Sequence, residues 1–310
     1  MKTVAIIDIG SNSIKLLVAE LATDKQSIQT VFTKTIETRI SAGISQATPV
    51  LTEAAILSGI QTIQKLLDLA ADYSPEHIKL VATSAVRDAH NGHDFAKRVK
   101  ETTDQPVNIL SGNEEASCIG RGLACDPIVQ KFQNFIQIDL GGGSLELIHF
   151  ASGKIVNALS LKLGAVRLLE AHVEDPKAPL THRAQNAIIN TVLTNLKESA
   201  FDFADPETPL IATGGAFTVS RAIFAAQKQQ SFETLSPKFA LTELIALRKK
   251  LSQMTLEQRL QIPNLPSGRA DILPTALLTI ETVMKYAERT QCIHSLYNLR
   301  YGIAATLLNS

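Results

Sequence analysis

The sequence predicts an α/β protein built from two similar lobes. Three observations carry that expectation. Strand and helix patterns follow one another in the order β-β-β-α-β-α-β-α up to Asp126-Pro127; the pattern then restarts with three more strands; and two eleven-residue segments align without a gap at an offset of 131, Ile7-Asp-Ile-Gly-Ser-Asn-Ser-Ile-Lys-Leu-Leu17 against Ile138-Asp-Leu-Gly-Gly-Gly-Ser-Leu-Glu-Leu-Ile148. Five of those positions are identical and the remaining apolar ones match in kind. Two lobes, 1–128 and 129–310, are therefore expected, with the last helix free to pack back on the first lobe and ligands in the cleft between them.

Each element has a local reason. Val4 to Ile9 is a short β-branched run stopped by Gly10-Ser-Asn-Ser, so it reads as a strand and a tight turn, with Ile14 to Glu20 as its hairpin partner and Ile28 to Lys34 as a third strand. Thr52 opens a helix with Ile56, Ile60, Ile63, Leu67 and Ala70 on one face, closed by Ser74-Pro75. A strand (Ile78 to Thr83), a helix beginning near His93 and a strand (Val107 to Leu110) follow. The next helix starts at Ser111-Gly-Asn-Glu114, a capping-box spacing. In the second half, strands fit Phe135 to Leu140, Leu145 to Phe150 and Lys154 to Leu161, then a helix over His182 to Ala200 and a strand into Ile211-Ala-Thr-Gly-Gly-Ala. The rest reads as mostly helical: Thr242 to Ser252, Thr255 to Leu260, Pro274 to Arg289 and Tyr301 to Asn309, with Arg248-Lys-Lys as a solvated helix face.

Composition narrows the function. The chain has 310 residues, 45% of them hydrophobic, with 30 basic and 30 acidic side chains, so it carries no global field for nucleic acid or acidic lipid. Tryptophan is absent and aromatics are 5%, which speaks against stacking platforms for single strands. Cys118, Cys125 and Cys292 form neither a disulfide framework nor a zinc motif, and the first apolar run is too short for a signal segment and is broken by Asp8. A cytoplasmic protein without nucleic-acid or membrane partners is expected.

The chemistry sits in the turns. Asp8-Ile-Gly10-Ser11-Asn12-Ser13 and Asp139-Leu-Gly141-Gly142-Gly143-Ser144 each join paired strands, and such turns offer consecutive N–H groups to phosphate oxygens, with the serine hydroxyls as added donors. A single turn of this kind is equally an ordinary hairpin; two copies and a third loop, Thr213-Gly214-Gly215, favour phosphate binding. Asp8, Asp139 and Glu146 would repel a phosphate unless a cation intervened, and Asp139 with Glu146 suits Mg²⁺ or another divalent ion. Glu115, in the first turn of its helix, either complements the helix dipole or acts as a general base. Arg87 either holds a phosphate with its fork of donors or pairs with Asp88 or Asp94. His90 and His93 lack a third ligand for a metal site. Arg269, Asp271 and Arg300 admit phosphate contacts or ion pairs between lobes.

Taken in order, Ile7-Asp-Ile-Gly-Ser-Asn-Ser, Ala82-Thr-Ser-Ala-Val-Arg-Asp-Ala-His-Asn-Gly, Ile109-Leu-Ser-Gly-Asn-Glu-Glu-Ala, Ile138-Asp-Leu-Gly-Gly-Gly-Ser-Leu-Glu, Thr213-Gly-Gly and Arg269-Ala-Asp-Ile-Leu-Pro resemble the exopolyphosphatase and guanosine pentaphosphate phosphatase (Ppx/GppA) family. The resemblance implies a duplicated actin-like ATPase (ribonuclease H-like) fold in a short two-domain form. It implies a metal-dependent phosphohydrolase in which Glu115 activates water, Asp139 and Glu146 hold the cation, and Arg87 and the glycine loops contact phosphate. The implied substrates are polyphosphate or guanosine penta/tetraphosphate, and a homodimer is an expected assembly. Two segments depart from the family pattern: Ala216-Phe217-Thr218 after the third loop, and Ser295-Leu-Tyr-Asn-Leu-Arg-Tyr-Gly302, where Asn298 replaces a glycine and altered turn geometry is expected. Exopolyphosphatase activity is the leading expectation, ahead of pppGpp 5′-phosphohydrolase, a non-catalytic polyphosphate or alarmone binder, and a sugar-kinase-like phosphotransferase.

Overall fold

The computed structural model describes residues 2–22 and 27–310. In chain order the elements are β1 (Thr3–Ile9), β2 (Ser13–Leu21), β3 (Ile28–Glu37), α1 (Glu53–Ala71), β4 (His77–Ala82), α2 (Ser84–Asp88), α3 (Gly92–Thr103), β5 (Val107–Ile109), α4 (Gly112–Leu123), β6 (Phe135–Leu140), β7 (Leu145–Ala151) and β8 (Lys154–Leu161). They continue with α5 (Ala165–His172), α6 (His182–Ser199), β9 (Leu210–Thr213), α7 (Gly215–Gln227), β10 (Lys238–Ala240), α8 (Leu241–Ser252), α9 (Leu256–Leu260), α10 (Leu273–Tyr286), β11 (Gln291–His294) and α11 (Leu299–Leu308). The chain forms two units, Met1–Lys131 with Tyr297–Ser310, and Phe132–Leu296.

The first unit has a five-stranded sheet in the order β3-β2-β1-β4-β5. β1 pairs antiparallel with β2 and parallel with β4. Its residues from Val4 to Ile9 are all buried, because a central strand covered on both faces shows a continuous apolar run rather than alternation. α1 begins where Thr52 accepts a hydrogen bond from the Ala55 amide at 3.2 Å, and its buried stripe includes Ile56, Ile60, Ile63, Leu67 and Ala70. α11 packs on β1, β2, β3 and α4. Two glycines allow the close approach of α4 and α11: a Cβ on Gly302 would lie 1.8 Å from the Cys118 carbonyl oxygen, and one on Gly122 would lie 2.1 Å from that of Asn298.

The second unit repeats the plan. Its six-stranded sheet runs β10-β11-β9-β6-β7-β8, with β6 antiparallel to β7, β7 antiparallel to β8, and β6 parallel to β9. β6, β7, β8 and β9 thus stand in the relation of β1, β2, β3 and β4. This duplicated order is the α/β plan of two similar lobes predicted from the repeat. The core joins the strands to α6, α7, α8 and α10 around residues such as Phe217, Leu277 and Met284, each worth about 1.5–3 kcal/mol when removed from water.

The structure adds elements that local sequence patterns do not signal. β10 and β11 lie in the stretch that reads as mostly helical, α5 occupies a segment without a predicted element, and α2 is a single turn. Arg248 is a correction: it is not on a solvated face, because its guanidinium donates to the buried Glu281 carboxylate at 2.9 Å, while Lys249 and Lys250 are exposed. Glu281 also accepts from Lys285 at 2.7 Å, so the carboxylate in the otherwise apolar α10 is paired.

Candidate functional site

The two duplicated turns have the same skeleton. The Gly10 amide donates to the Ser13 carbonyl at 3.2 Å, and the Gly141 amide, 131 residues later, donates to that of Ser144 at 3.0 Å. Ser11, Asn12, Ser13, Gly143 and Ser144 are buried, whereas Gly10, Gly141 and Gly142 are partly exposed. Ser11 meets the Ser84 hydroxyl at 3.1 Å, which ties the first turn to the start of α2.

The turns differ in the acid beside them. Asp8 faces Lys15 across the β1–β2 pair, and the Lys15 ammonium lies 3.9 Å from its carboxylate. Asp139 faces Glu146 across the β6–β7 pair, and both are buried. Directly opposed residues of antiparallel strands project on one face, so the second unit places two carboxylates where the first places a carboxylate and an ammonium. Glu146 Oε1 accepts from the Ser160 hydroxyl at 2.8 Å, which fixes its orientation. Two adjacent hard oxygen donors fit a magnesium ion, which takes one or two carboxylates and completes its shell with water and phosphate oxygens. Among the described residues no group of three or more His, Cys, Asp or Glu side chains could hold a metal, so the acid pair is a partial shell of that kind.

The third loop closes against the same acid. Gly214 has φ of 107°, and a Cβ there would lie 2.5 Å from the Leu140 carbonyl oxygen and 3.0 Å from Asp139 Oδ1. Only glycine fits, in conformation and in space. At Gly215 a Cβ would lie 2.0 Å from Arg269 Nη1, so this guanidinium lies against the start of α7. Thr218, one of the residues that departs from the family pattern, donates to the Gly214 carbonyl at 3.2 Å and meets His294 Nε2 at 3.3 Å.

Arg87 and Glu115 come together in the first unit. Arg87 is in the last turn of α2, just after β4; Glu115 is in the first turn of α4, just after β5. Parallel pairing of β4 and β5 brings the two helix ends side by side. Arg87 Nη1 donates to Glu115 Oε2 at 2.7 Å and to the Leu110 carbonyl at 3.0 Å, and Asp88 lies 3.7 Å from its Nε. The neighbouring Glu114 caps its helix instead, accepting from the Ser111 amide at 2.8 Å and hydroxyl at 2.7 Å to complete the predicted capping box. Those two bonds hold its carboxyl below the usual range. One step along a helix turns the side chain by about 100°, so Glu114 is exposed and Glu115 is buried, at 6% exposure. His90 and His93 are both exposed.

A family model, the Ppx/GppA phosphatase family, matches residues 17–310. The chain belongs to the Ppx/GppA phosphatase family. Its structure is similar to the crystal structure of an exopolyphosphatase from Cytophaga hutchinsonii, with a TM-score of 0.87, 25% identity, and coverage of 99% of this chain and 98% of that one. It is also similar to a Ppx/GppA family member from Aquifex aeolicus, with a TM-score of 0.78 and 21% identity over 99% and 98% of the two chains. The family match begins within β2, so the first turn, Gly10 to Ser13, lies before it. The likeness of that turn to Gly141–Ser144 rests on the internal repeat. Asn298, where the Ppx/GppA pattern has glycine, has φ of −142°, an extended backbone that any residue adopts. The altered turn geometry expected at Asn298 is therefore not required.

Sequence reasoning missed Arg39 and Arg167, whose guanidiniums bond to the two turns. Each lies outside its turn's motif, and neither has a spacing that signals such a contact.

Proposed function

We propose that this chain is an exopolyphosphatase, hydrolysing the terminal phosphoanhydride of inorganic polyphosphate with the help of a divalent cation. The observation that carries the reading is the contact between Arg87 and Glu115, a phosphate-binding cation and a buried carboxylate at 2.7 Å on neighbouring helix ends. Glu115 takes a proton from the attacking water, whose oxygen forms the new bond to the terminal phosphorus as the bridging P–O bond breaks. The remaining chain leaves with the bridging oxygen. Arg87 exchanges part of its pairing with Glu115 for substrate oxygens, supplying charge to a loose transition state that needs positioning and neutralisation more than covalent chemistry.

With the Gly10 and Gly141 amides closing the two turns, the amides of Ser11, Asn12, Gly142 and Gly143 and the hydroxyls of Ser11, Ser13 and Ser144 hold phosphate oxygens, with Asp8 kept beside its turn by Lys15. The Gly214–Gly215 loop contributes the N-terminus of α7. Asp139 and Glu146 would hold Mg²⁺, which when bound neutralises phosphate charge. The family name and the exopolyphosphatase relative support this substrate class.

The test is release of orthophosphate from long-chain polyphosphate with Mg²⁺ by wild-type and Glu115→Gln protein, with pppGpp assayed in parallel. Release by wild type alone supports the reading. Equal or better kcat/KM on pppGpp transfers the same chemistry to the nucleotide. Tight polyphosphate binding without turnover makes the protein a binder.

A further inference from the structure

Each duplicated turn is gripped by an arginine that lies outside it in sequence. In the first unit, Arg39 Nε donates to Asn12 Oδ1 at 3.1 Å, while the amides of Thr38 and Arg39 donate to the Asn12 carbonyl at 3.1 and 3.0 Å. In the second, Arg167 Nε donates to the Gly143 carbonyl at 2.9 Å, while the amides of Val166 and Arg167 donate to the Gly142 carbonyl at 2.8 and 3.2 Å. Asn12 and Gly143 are the same position of the repeat, 131 residues apart. The two arginines are not: Arg39 lies two residues after β3 and Arg167 six after β8, one in a loop and one in α5. The same nitrogen therefore reaches the same turn position by two different routes.

The backbone at Arg39 adds a second observation. Its φ is 43°, the left-handed region that a side chain enters at a cost, of order 1 kcal/mol. Glycine would take that conformation freely, yet an arginine stands there with its side chain on the turn. Strain kept at a residue that holds a functional loop points to a role for that side chain.

We propose that Arg39 and Arg167 are a matched pair of positioning residues, each fixing the third residue of a phosphate-binding turn through Nε. The inference rests on the proposed phosphate-binding function of the turns. Carbonyl and amide oxygens near a bound phosphate repel it. By engaging these acceptors from the protein side, the arginines and the adjacent amides keep them turned away and leave for the ligand the turn's N–H groups beyond the Gly10 and Gly141 amides that close it. A guanidinium does this with a rigid planar donor, which lysine cannot reproduce even though it keeps the charge.

The experiment compares wild type, Arg39→Gly, Arg39→Lys, Arg167→Lys, Asn12→Ala and the double variant Arg39→Gly/Asn12→Ala. The readouts are orthophosphate release from polyphosphate, calorimetric binding of tripolyphosphate, and thermal midpoints. Glycine at position 39 relieves the left-handed strain, so the midpoint holds or rises, while kcat/KM falls at least tenfold. Both lysine variants fall by a similar factor, and the double variant is no worse than Asn12→Ala within about twofold. Folded arginine variants that keep kcat/KM and tripolyphosphate affinity within twofold, beside an active wild type, overturn the positioning role and leave the proposed function intact. Failure of wild type both to bind tripolyphosphate and to release phosphate overturns the two together.

Discussion

Arg87 and Glu115 form an ion pair at 2.7 Å between helix ends that follow adjacent parallel strands. The pair engages one oxygen of the carboxylate and compensates its charge. Under the proposed function, an incoming phosphate competes for the same guanidinium. Substrate binding would thereby loosen the restraint on the proposed proton acceptor.

Replacement of Glu115 by glutamine removes the proposed proton acceptor and keeps the shape. Orthophosphate release is expected to fall by about 10²–10⁴-fold, with tripolyphosphate affinity changed only a few fold in calorimetry. Unchanged release would exclude Glu115 as the base.

The Asp8–Lys15 and Asp139–Glu146 pairs suggest a substitution copied from the protein itself. Glu146→Lys gives the second unit the charge pattern of the first. The folded variant, checked by circular dichroism, should lose its response to a Mg²⁺ titration and at least 100-fold of its turnover, since a general base without charge neutralisation leaves most of the barrier. Retention of a normal Mg²⁺ dependence places the cation elsewhere.

The α4–α11 contact tolerates no added carbon at Gly302, where a Cβ would lie 1.8 Å from the Cys118 carbonyl. Gly302→Ala must push backbone from backbone. A loss of about 1–3 kcal/mol is expected from overpacking, read as a lower urea midpoint. A midpoint equal to that of wild type means that the two helices are not held so closely in solution.

His294 makes stability depend on pH. Burial, helped by the Arg221 charge, pulls its pKa down to about 3, so the folded protein keeps the ring neutral. The unfolded chain protonates it near its ordinary value of about 6.5. Between those values the unfolded state binds the extra proton, so this contribution to stability declines as pH falls, by up to about 1.4 kcal/mol per pH unit. His294→Leu should flatten that part of the urea-midpoint profile between pH 6 and pH 4. A profile that keeps its slope would trace the dependence to other groups.

Much of this architecture was legible because its signals are local. The β1 and β6 runs, the capping box at Ser111 and the offset of 131 all lie within short windows, and the first two became structure within a residue or two. β11 was not legible. Gln-Cys-Ile-His is too short to show a period, and its strand character comes from pairing with β9 and β10, which are distant in sequence. The sequence named Arg87 and Glu115 separately, but their contact needed β4 and β5 to align. Arg39 and Arg167 escaped because a grip on a turn from a following segment has no fixed spacing.

The membership of α11 in the first unit bears on how the protein is made. Residues 297–310 pack on β1, β2, β3 and α4, and Arg300 donates to the Leu16 carbonyl at 3.1 Å. All of Phe132–Leu296 is translated between α4 and this helix. A nascent chain emerging from the ribosome must carry the first sheet without its covering helix while the whole second unit is synthesised. Folding of the earlier half thus ends with the later half already present, and apolar surface on β1 and β2 waits for it, the interval in which a chaperone has most to bind.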